Sequence, residues 1–283
     1  MKKIIVSVVV LALFALLGLL VLSLSPVQDK ILERGTAMIA KRGTQGLPAS
    51  ESLRVFVCGS ASPLGMGQAQ ACIAVVTPEH FYLIDSGAGS TNNIALLNLP
   101  TDRLDGILIS HFHSDHIAEI YEVNLNSWVT GRKEPMRVIG PQGVDEVVDG
   151  INVTYQHDRQ YRSAHHGESF LPPHLGLIDH QTVTAGVIID DGELKITAYR
   201  AEHPPIDPGL GYRIDYRGRS VVISGDSNVS AETERVVAGA DLLLHDALSV
   251  PTLSRLSKAF SAVGQSRMSK IVDDVMDYHA STE

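Results

Sequence analysis

Residues 106–117 read GILISHFHSDHI, a short apolar run that ends in His111, His113, Asp115 and His116. Four such side chains within six positions are hard to explain as packing, because charged groups are rarely buried unless paired. Imidazole and carboxylate are, by contrast, the common ligands of zinc and related ions. Leu104 to Ser110 reads as a buried strand centred on Ile107, Leu108 and Ile109, and Ile117 to Val123 has helical character. The cluster therefore belongs on a strand-to-helix turn. In an extended segment His111 and His113 point the same way, and the turn returns Asp115 and His116 toward them. The alternative is a merely polar or pH-sensitive loop, which chance rarely builds at this spacing.

One turn cannot fill a metal shell, so further donors are expected at other strand ends. His203 follows the strand ELKITAYRA, with Tyr212 opening the next strand. Asp226 follows SVVIS in the segment SGDS, where Gly225 permits a tight turn. His245 and Asp246 follow DLLL. Taken singly, each has a dull explanation, such as turn formation for Asp226 or a satisfied core histidine for His245. Their shared position after buried apolar runs is where a layered scaffold places its chemistry.

The elements that hold these residues can be read from the pattern. Strands are expected at 53–58, 72–77, 80–85, 105–110, 136–140, 183–190, 193–200, 210–216, 219–224 and 241–245, and helices at 91–98, 116–127, 141–151, 230–238 and 265–279. Strands in succession with helices outside favour an α/β or α+β layered sandwich. Residues 152–182 show little periodicity and contain His157, His165, His166, His174 and His180. They read as a long loop, either a lid with His165 and His166 as candidate substrate contacts or a solvated insertion.

At this point the chain resembles a known family. HFHSDH matches the H-x-H-x-D-H signature of the metallo-β-lactamase-fold hydrolases, and the order of the later motifs is similar to their ribonuclease Z and arylsulfatase branch. LIDSGAGS (83–90) resembles the early strand-turn motif, EHPPIDPGLGYRI the segment with the next histidine ligand, and ISGDS the segment with a bridging aspartate. HDAL and YHAST resemble later motifs near the site. The resemblance spans 53–283 and implies a four-layer αβ/βα sandwich. It implies that His111, His113 and His203 bind one metal, Asp115 and His116 a second, and that Asp226 bridges them. His279 becomes a candidate proton donor oriented by Asp246, Asp115 orients or deprotonates water, and Asp85 and His245 support the site. The family carries one more histidine ligand some two dozen residues after YHxS, whereas this chain stops at Glu283. A truncated C-terminal end is expected, with His245 or the 152–182 loop as the substitute otherwise. Two zinc ions are the expected cofactors, with manganese or iron as alternatives.

The chemistry so implied is hydrolysis by a hydroxide held between two ions, acting on a phosphodiester or related ester. Sulfate ester hydrolysis, tRNA 3′ processing and a non-catalytic metal-binding role are the competing readings. With 23 Lys and Arg against 32 Asp and Glu, the net charge of −9 and the absence of a basic block favour a small ester over nucleic acid. Residues 1–25 place Lys2 and Lys3 before an apolar run from Ile4 to Leu24, long enough for an anchor and long for a cleaved signal. A juxtamembrane helix and linker would follow at 26–52, with the 53–283 domain facing the periplasm or exterior. In that compartment Cys58 and Cys72, on neighbouring strand-like segments, are free to pair as a disulfide, the alternative being two small buried residues.

Overall fold

The computed structural model describes residues 16, 18–44, 52–63 and 67–282. The chain divides into two units, Met1–Pro48 and Ala49–Glu283. In the first, helix α1 (Ser25–Thr44) carries Asp29, Lys30, Glu33, Arg34 and Lys41. That segment was expected as a juxtamembrane helix, and among the described residues no helix is long and apolar enough to cross a membrane. The expected anchored, outward-facing placement is corrected accordingly. Most of the run from Ile4 to Leu24 on which it rested lies outside the described residues.

The second unit is built on two sheets. One runs in sequence order through β1 (Arg54–Gly59), β2 (Cys72–Val76), β3 (Phe81–Ile84), β4 (Gly106–Leu108), β5 (Met136–Gly140) and β6 (Ile178–Thr182). Its first three strands pair antiparallel, and β3 to β6 pair parallel. The parallel centre is buried on both faces, which is why FYLI and GIL read as unbroken apolar runs. The other sheet has the order β11 (Leu242–Leu244), β10 (Arg219–Ile223), β9 (Ile206–Tyr216), β8 (Leu194–His203), β7 (Gly186–Asp190). Here β8 alternates buried and exposed positions along much of its length, as a strand with one core face should.

The sheets meet face to face. Ile84, Leu108 and Ile139 of the first pack with Ile196, Leu210, Tyr212, Ile214 and Ile223 of the second. Around them lie α2 (Ser90–Leu96), α3 (Ser114–Ile117), α4 (Ile120–Thr130), α5 (Val144–Thr154), α6 (Gln156–His166), α7 (Ala231–Val237), α8 (Val250–Ala262) and α9 (Ser266–Val275). Helix α5 packs on β5 and β6 and α7 on β8, which makes the four-layer αβ/βα sandwich.

The 152–182 segment is not the loop that its pattern suggested. Helix α6 fills 156–166 and β6 its end. Both are polar, so neither shows the apolar period that marks an element. Specific bonds hold α6 instead. Tyr121 Oη donates to Asp158, Arg159 to the Asn152 carbonyl and Ser163 Oγ to the Leu171 carbonyl. Two further departures are the break of the 116–127 helix into α3 and α4, and helix α8, where no element was expected.

Tyr212 is fully buried and its Oη donates to the Ile109 carbonyl at 2.7 Å, stitching the second sheet to the strand end that carries the histidines. Tyr212→Phe leaves that carbonyl unpaired in the interior. It is expected to cost about 1–3 kcal/mol, read by urea unfolding of the metal-free protein.

Candidate metal centre

The HFHSDH turn starts where β4 ends. Asp85, at the end of β3, adopts a left-handed backbone with φ 60, a conformation that aspartate tolerates better than most residues. This aims its carboxylate at the turn. Oδ1 accepts the Ser110 amide at 2.8 Å, and Oδ2 accepts the Ser110 hydroxyl and His116 Nδ1, each at 2.8 Å. Ser110 Oγ lies 3.0 Å from His111 Nδ1 and 3.3 Å from His116 Nδ1. Gly87 lets the neighbouring turn close in, since a Cβ there would sit 2.0 Å from the Asp115 carbonyl oxygen. Glu119 fastens the far side by accepting the Gly89 and Thr91 amides.

The second sheet supplies the opposite wall. His203 ends β8, and its Nδ1 meets the Tyr278 carbonyl at 3.1 Å. Asp226 follows β10, on the tight turn at Gly225, whose φ is +62. The ring centroids of His111 lie 4.6 Å from His113, 4.1 Å from His116 and 4.9 Å from His203. His116 Nε2 lies 3.3 Å from Asp226 Oδ2 and 3.7 Å from Asp115 Oδ2.

Three donor groups result, one of them Asp226, Asp246 and His279. His111, His113, His203 and Asp226 offer atoms within 4.8 Å of one another, and so do Asp115, His116 and Asp226. Asp226 is common to all three. The sets fit metal ions. The Nε2 atoms of His111 and His203 are buried with no hydrogen-bond partner, a cost that a bound cation removes. Nitrogen and oxygen donors without thiolate suit zinc, manganese or iron.

Electrostatics separates the members. Burial, then the neighbouring His116, pushes the His111 pKa down to about 2, and burial also lowers that of His203, so both rings stay neutral as ligation requires. Burial opposes the charge of Asp226, but contact with His116 outweighs it and holds the carboxyl well below the usual range. Burial raises Asp115. His279 Nδ1 lies 2.5 Å from Asp246 Oδ2; burial works against its charge, yet that carboxylate keeps the pKa raised.

A family profile for the beta-lactamase superfamily domain matches residues 80–276. Ribonuclease Z of Mycobacterium bovis (strain BCG / Pasteur 1173P2) is 32% identical over 233 residues, 81% of this chain and 78% of that protein. The chain belongs to the metallo-β-lactamase-fold hydrolases, on the ribonuclease Z branch. Solved structures share the fold. The short form of human tRNase Z superposes with a TM-score of 0.56 at 18% identity, over 81% of this chain and 93% of that one. A metallo-β-lactamase fold protein from Bacillus subtilis gives 0.54 at 19% identity, over 70% and 72%. Membership of the ribonuclease Z branch makes this chain a metal-dependent hydrolase of ester bonds. With these relatives, the placement behind a membrane segment no longer stands.

Not every expected residue joins the site. His245 Nδ1 lies 2.6 Å from the Asp246 carbonyl oxygen, and among the described residues His245 falls in none of the donor groups. His165 and His166 are exposed at the end of α6 and belong to no donor group. Asp226, Asp246 and His279 do come together. The sulfur atoms of Cys58 and Cys72 lie 1.94 Å apart, bridging β1 and β2. Sequence reasoning missed Ser110 and Glu119. Ser110 was discoverable as the one polar residue between a buried strand and its histidines, whereas nothing near Glu119 hinted at its partners 28 and 30 positions earlier.

Because a side chain at 87 has to displace the Asp115 backbone, Gly87→Ala is expected to weaken metal binding about tenfold or more. Zinc titration of the metal-free variant checks this, with His203 and its group as the unaffected comparison.

Proposed function

We propose that this chain hydrolyses phosphodiesters with two metal ions, one held by His111, His113 and His203, the other by Asp115 and His116, with Asp226 shared. The observation that carries this reading is the sharing itself, since one carboxylate between two donor sets is how two ions are kept a few ångströms apart. Zinc is the favoured metal because the donors are imidazole and carboxylate. Bound in this way, a metal pair supplies Lewis acidity and a nucleophile at neutral pH.

The chain's own groups do the rest. Asp115, buried and raised in pKa, orients the attacking water and takes up its proton. His279 donates a proton to the leaving oxygen, and Asp246 holds the imidazole in place and charged. The Ser227 amide donates to Asp246 Oδ2 at 3.3 Å, and Asp246 N–H donates to Ser224 Oγ at 2.9 Å, so the pair is anchored on the turn that carries Asp226.

RNA is the favoured substrate class, in place of the small ester suggested by net charge. The support is 32% identity over 233 residues to a protein named ribonuclease Z. A protein with two zinc ions per chain should cleave bis(p-nitrophenyl) phosphate, and an RNA with a 3′ extension faster. His113→Ala should lower both rates at least about a hundredfold, since an ion contributes several kcal/mol to the transition state. Two zinc ions with no turnover on either phosphodiester would overturn the reading.

A second outcome separates the roles. His279→Ala should lower the kcat for RNA by about 10²–10⁴-fold, the usual worth of a general acid. It should change p-nitrophenyl ester hydrolysis much less, because that leaving group departs unprotonated. A raised pKa means that His279 keeps its proton above the ordinary histidine range and loses it as pH climbs further. The RNA rate of the wild type should therefore fall on the alkaline side, and His279→Ala should remove that limb.

A further inference from the structure

The hydrogen bonds beneath the histidines have a direction, and it is set by counting donors. Asp85 is buried and, as a carboxylate, can only accept. Its Oδ2 therefore takes the one proton of the Ser110 hydroxyl, 2.8 Å away. A serine that has spent its proton can only accept from any further partner. His111 Nδ1, 3.0 Å from Ser110 Oγ, must then carry a hydrogen and donate it. A neutral imidazole with hydrogen on Nδ1 has a bare Nε2, and His111 Nε2 is the buried atom with no partner, on the side of His113, His203 and Asp226. The same Oδ2 accepts from His116 Nδ1 at 2.8 Å, which turns His116 Nε2 toward Asp115 and Asp226.

We propose that Ser110 is a positioning residue: its hydroxyl relays the Asp85 charge to His111, fixing the ring in the metal-ready tautomer, so that a single carboxylate presents a histidine to each of two donor groups. The relay rests on the two-ion reading of the site for its consequence, but not for its geometry. Ser110 itself touches neither substrate nor ion. It is 1% exposed, and Gly225, on the turn that carries Asp226, packs so tightly that a Cβ there would lie 2.7 Å from Ser110 Cβ. Ser110 thus stands at the point where the ligand turns of the two sheets touch. The Leu210 amide donates to the Ser110 carbonyl at 2.9 Å, so the second sheet also fixes its backbone.

Two substitutions test the direction of the relay. Ser110→Ala removes the acceptor for His111 Nδ1. Asp85→Asn keeps the shape and inverts the relay, because an amide NH₂ facing Ser110 Oγ makes the serine donate to His111 Nδ1 and drives the ring hydrogen to Nε2. The tautomer is read from the ¹⁵N shifts of the His111 ring in the metal-free protein, and zinc affinity from competition titration. The wild type is expected to show hydrogen on Nδ1, Ser110→Ala a mixture, and Asp85→Asn hydrogen on Nε2. Zinc affinity should fall about 10–100-fold for the ion held with His111 in Ser110→Ala and for both ions in Asp85→Asn, the usual effect of removing a ligand's supporting partner.

Hydrogen on Nε2 in the wild type, or a His111 tautomer unchanged in both variants, would overturn the relay. So would wild-type affinity for both ions in Ser110→Ala. Should Ser110→Ala fail to fold by circular dichroism, Asp85→Asn alone decides through the tautomer, which loss of packing does not invert. A wild type that binds no zinc but carries hydrogen on Nδ1 would sink the two-ion reading and leave the relay standing.

Discussion

The buried charge of Asp85 is the constraint around which the rest of the domain is arranged. A carboxylate with 3% of its surface exposed forfeits hydration worth several kcal/mol, and it is tolerable only when its lone pairs are used. The Ser110 amide, the Ser110 hydroxyl and His116 Nδ1 use them. Each of those partners lies beyond the end of β4, so satisfying Asp85 dictates the path of the HFHSDH turn. The left-handed backbone at Asp85 is the strain accepted for this aim. The parallel pairing of β3 with β4 brings the two strand ends level, with Ile84 opposite Leu108.

The candidate metal centre depends on the sandwich, because its donors come from both sheets. His111, His113, Asp115 and His116 ride on the first, and His203 and Asp226 on the second. Their meeting is secured below by the apolar layer between the sheets and at the rim by hydrogen bonds from β9 to the β4 end, through Tyr212 Oη and the Leu210 amide. The long β8–β9 hairpin is what makes this possible. It delivers His203 at its tip, while its shaft packs Ile196, Ile214 and Tyr212 into the core. Packing and ligation are therefore one cooperative problem, and a change that slides the sheets also separates the ligands.

How far the site could be read from the sequence follows from how local each signal is. His111, His113, Asp115 and His116 announce themselves within six residues, and the apolar strand before them fixes their place on a turn. His203 and Asp226 were legible because each directly follows a buried strand. Among the described residues His245 joins no donor group, while its neighbour Asp246 reaches His279, a pairing 33 positions apart that no local pattern announces. Helix α6 and strand β6 were invisible because their stability comes from side-chain bonds to distant backbone and from edge pairing with β5, neither of which leaves a hydrophobic period. The membrane placement failed for a related reason. Composition of the first 25 residues carried it alone, with no partner elsewhere in the chain to test it.

The net charge of −9 is a weaker argument against RNA than it first looks, because charge must be counted where the phosphate lands. Without ions the centre sets four carboxyl groups, Asp85, Asp115, Asp226 and Asp246, against two imidazoles, His116 and His279, whose pKa values their carboxylate neighbours raise. Two divalent ions, as proposed, would contribute about +4 at this point and reverse the local sign, as bound cations generally do when they are the largest charges in a site. On the proposed reading, attraction for a phosphodiester at the reacting atom would come from the ions and His279, not from lysine or arginine. The acidic composition of the chain constrains how tightly the remainder of a long RNA is gripped, since that term scales with phosphates neutralised by basic side chains. Net charge accordingly bears on substrate length and salt tolerance, while the donor set at the end of the two sheets decides which bond is broken.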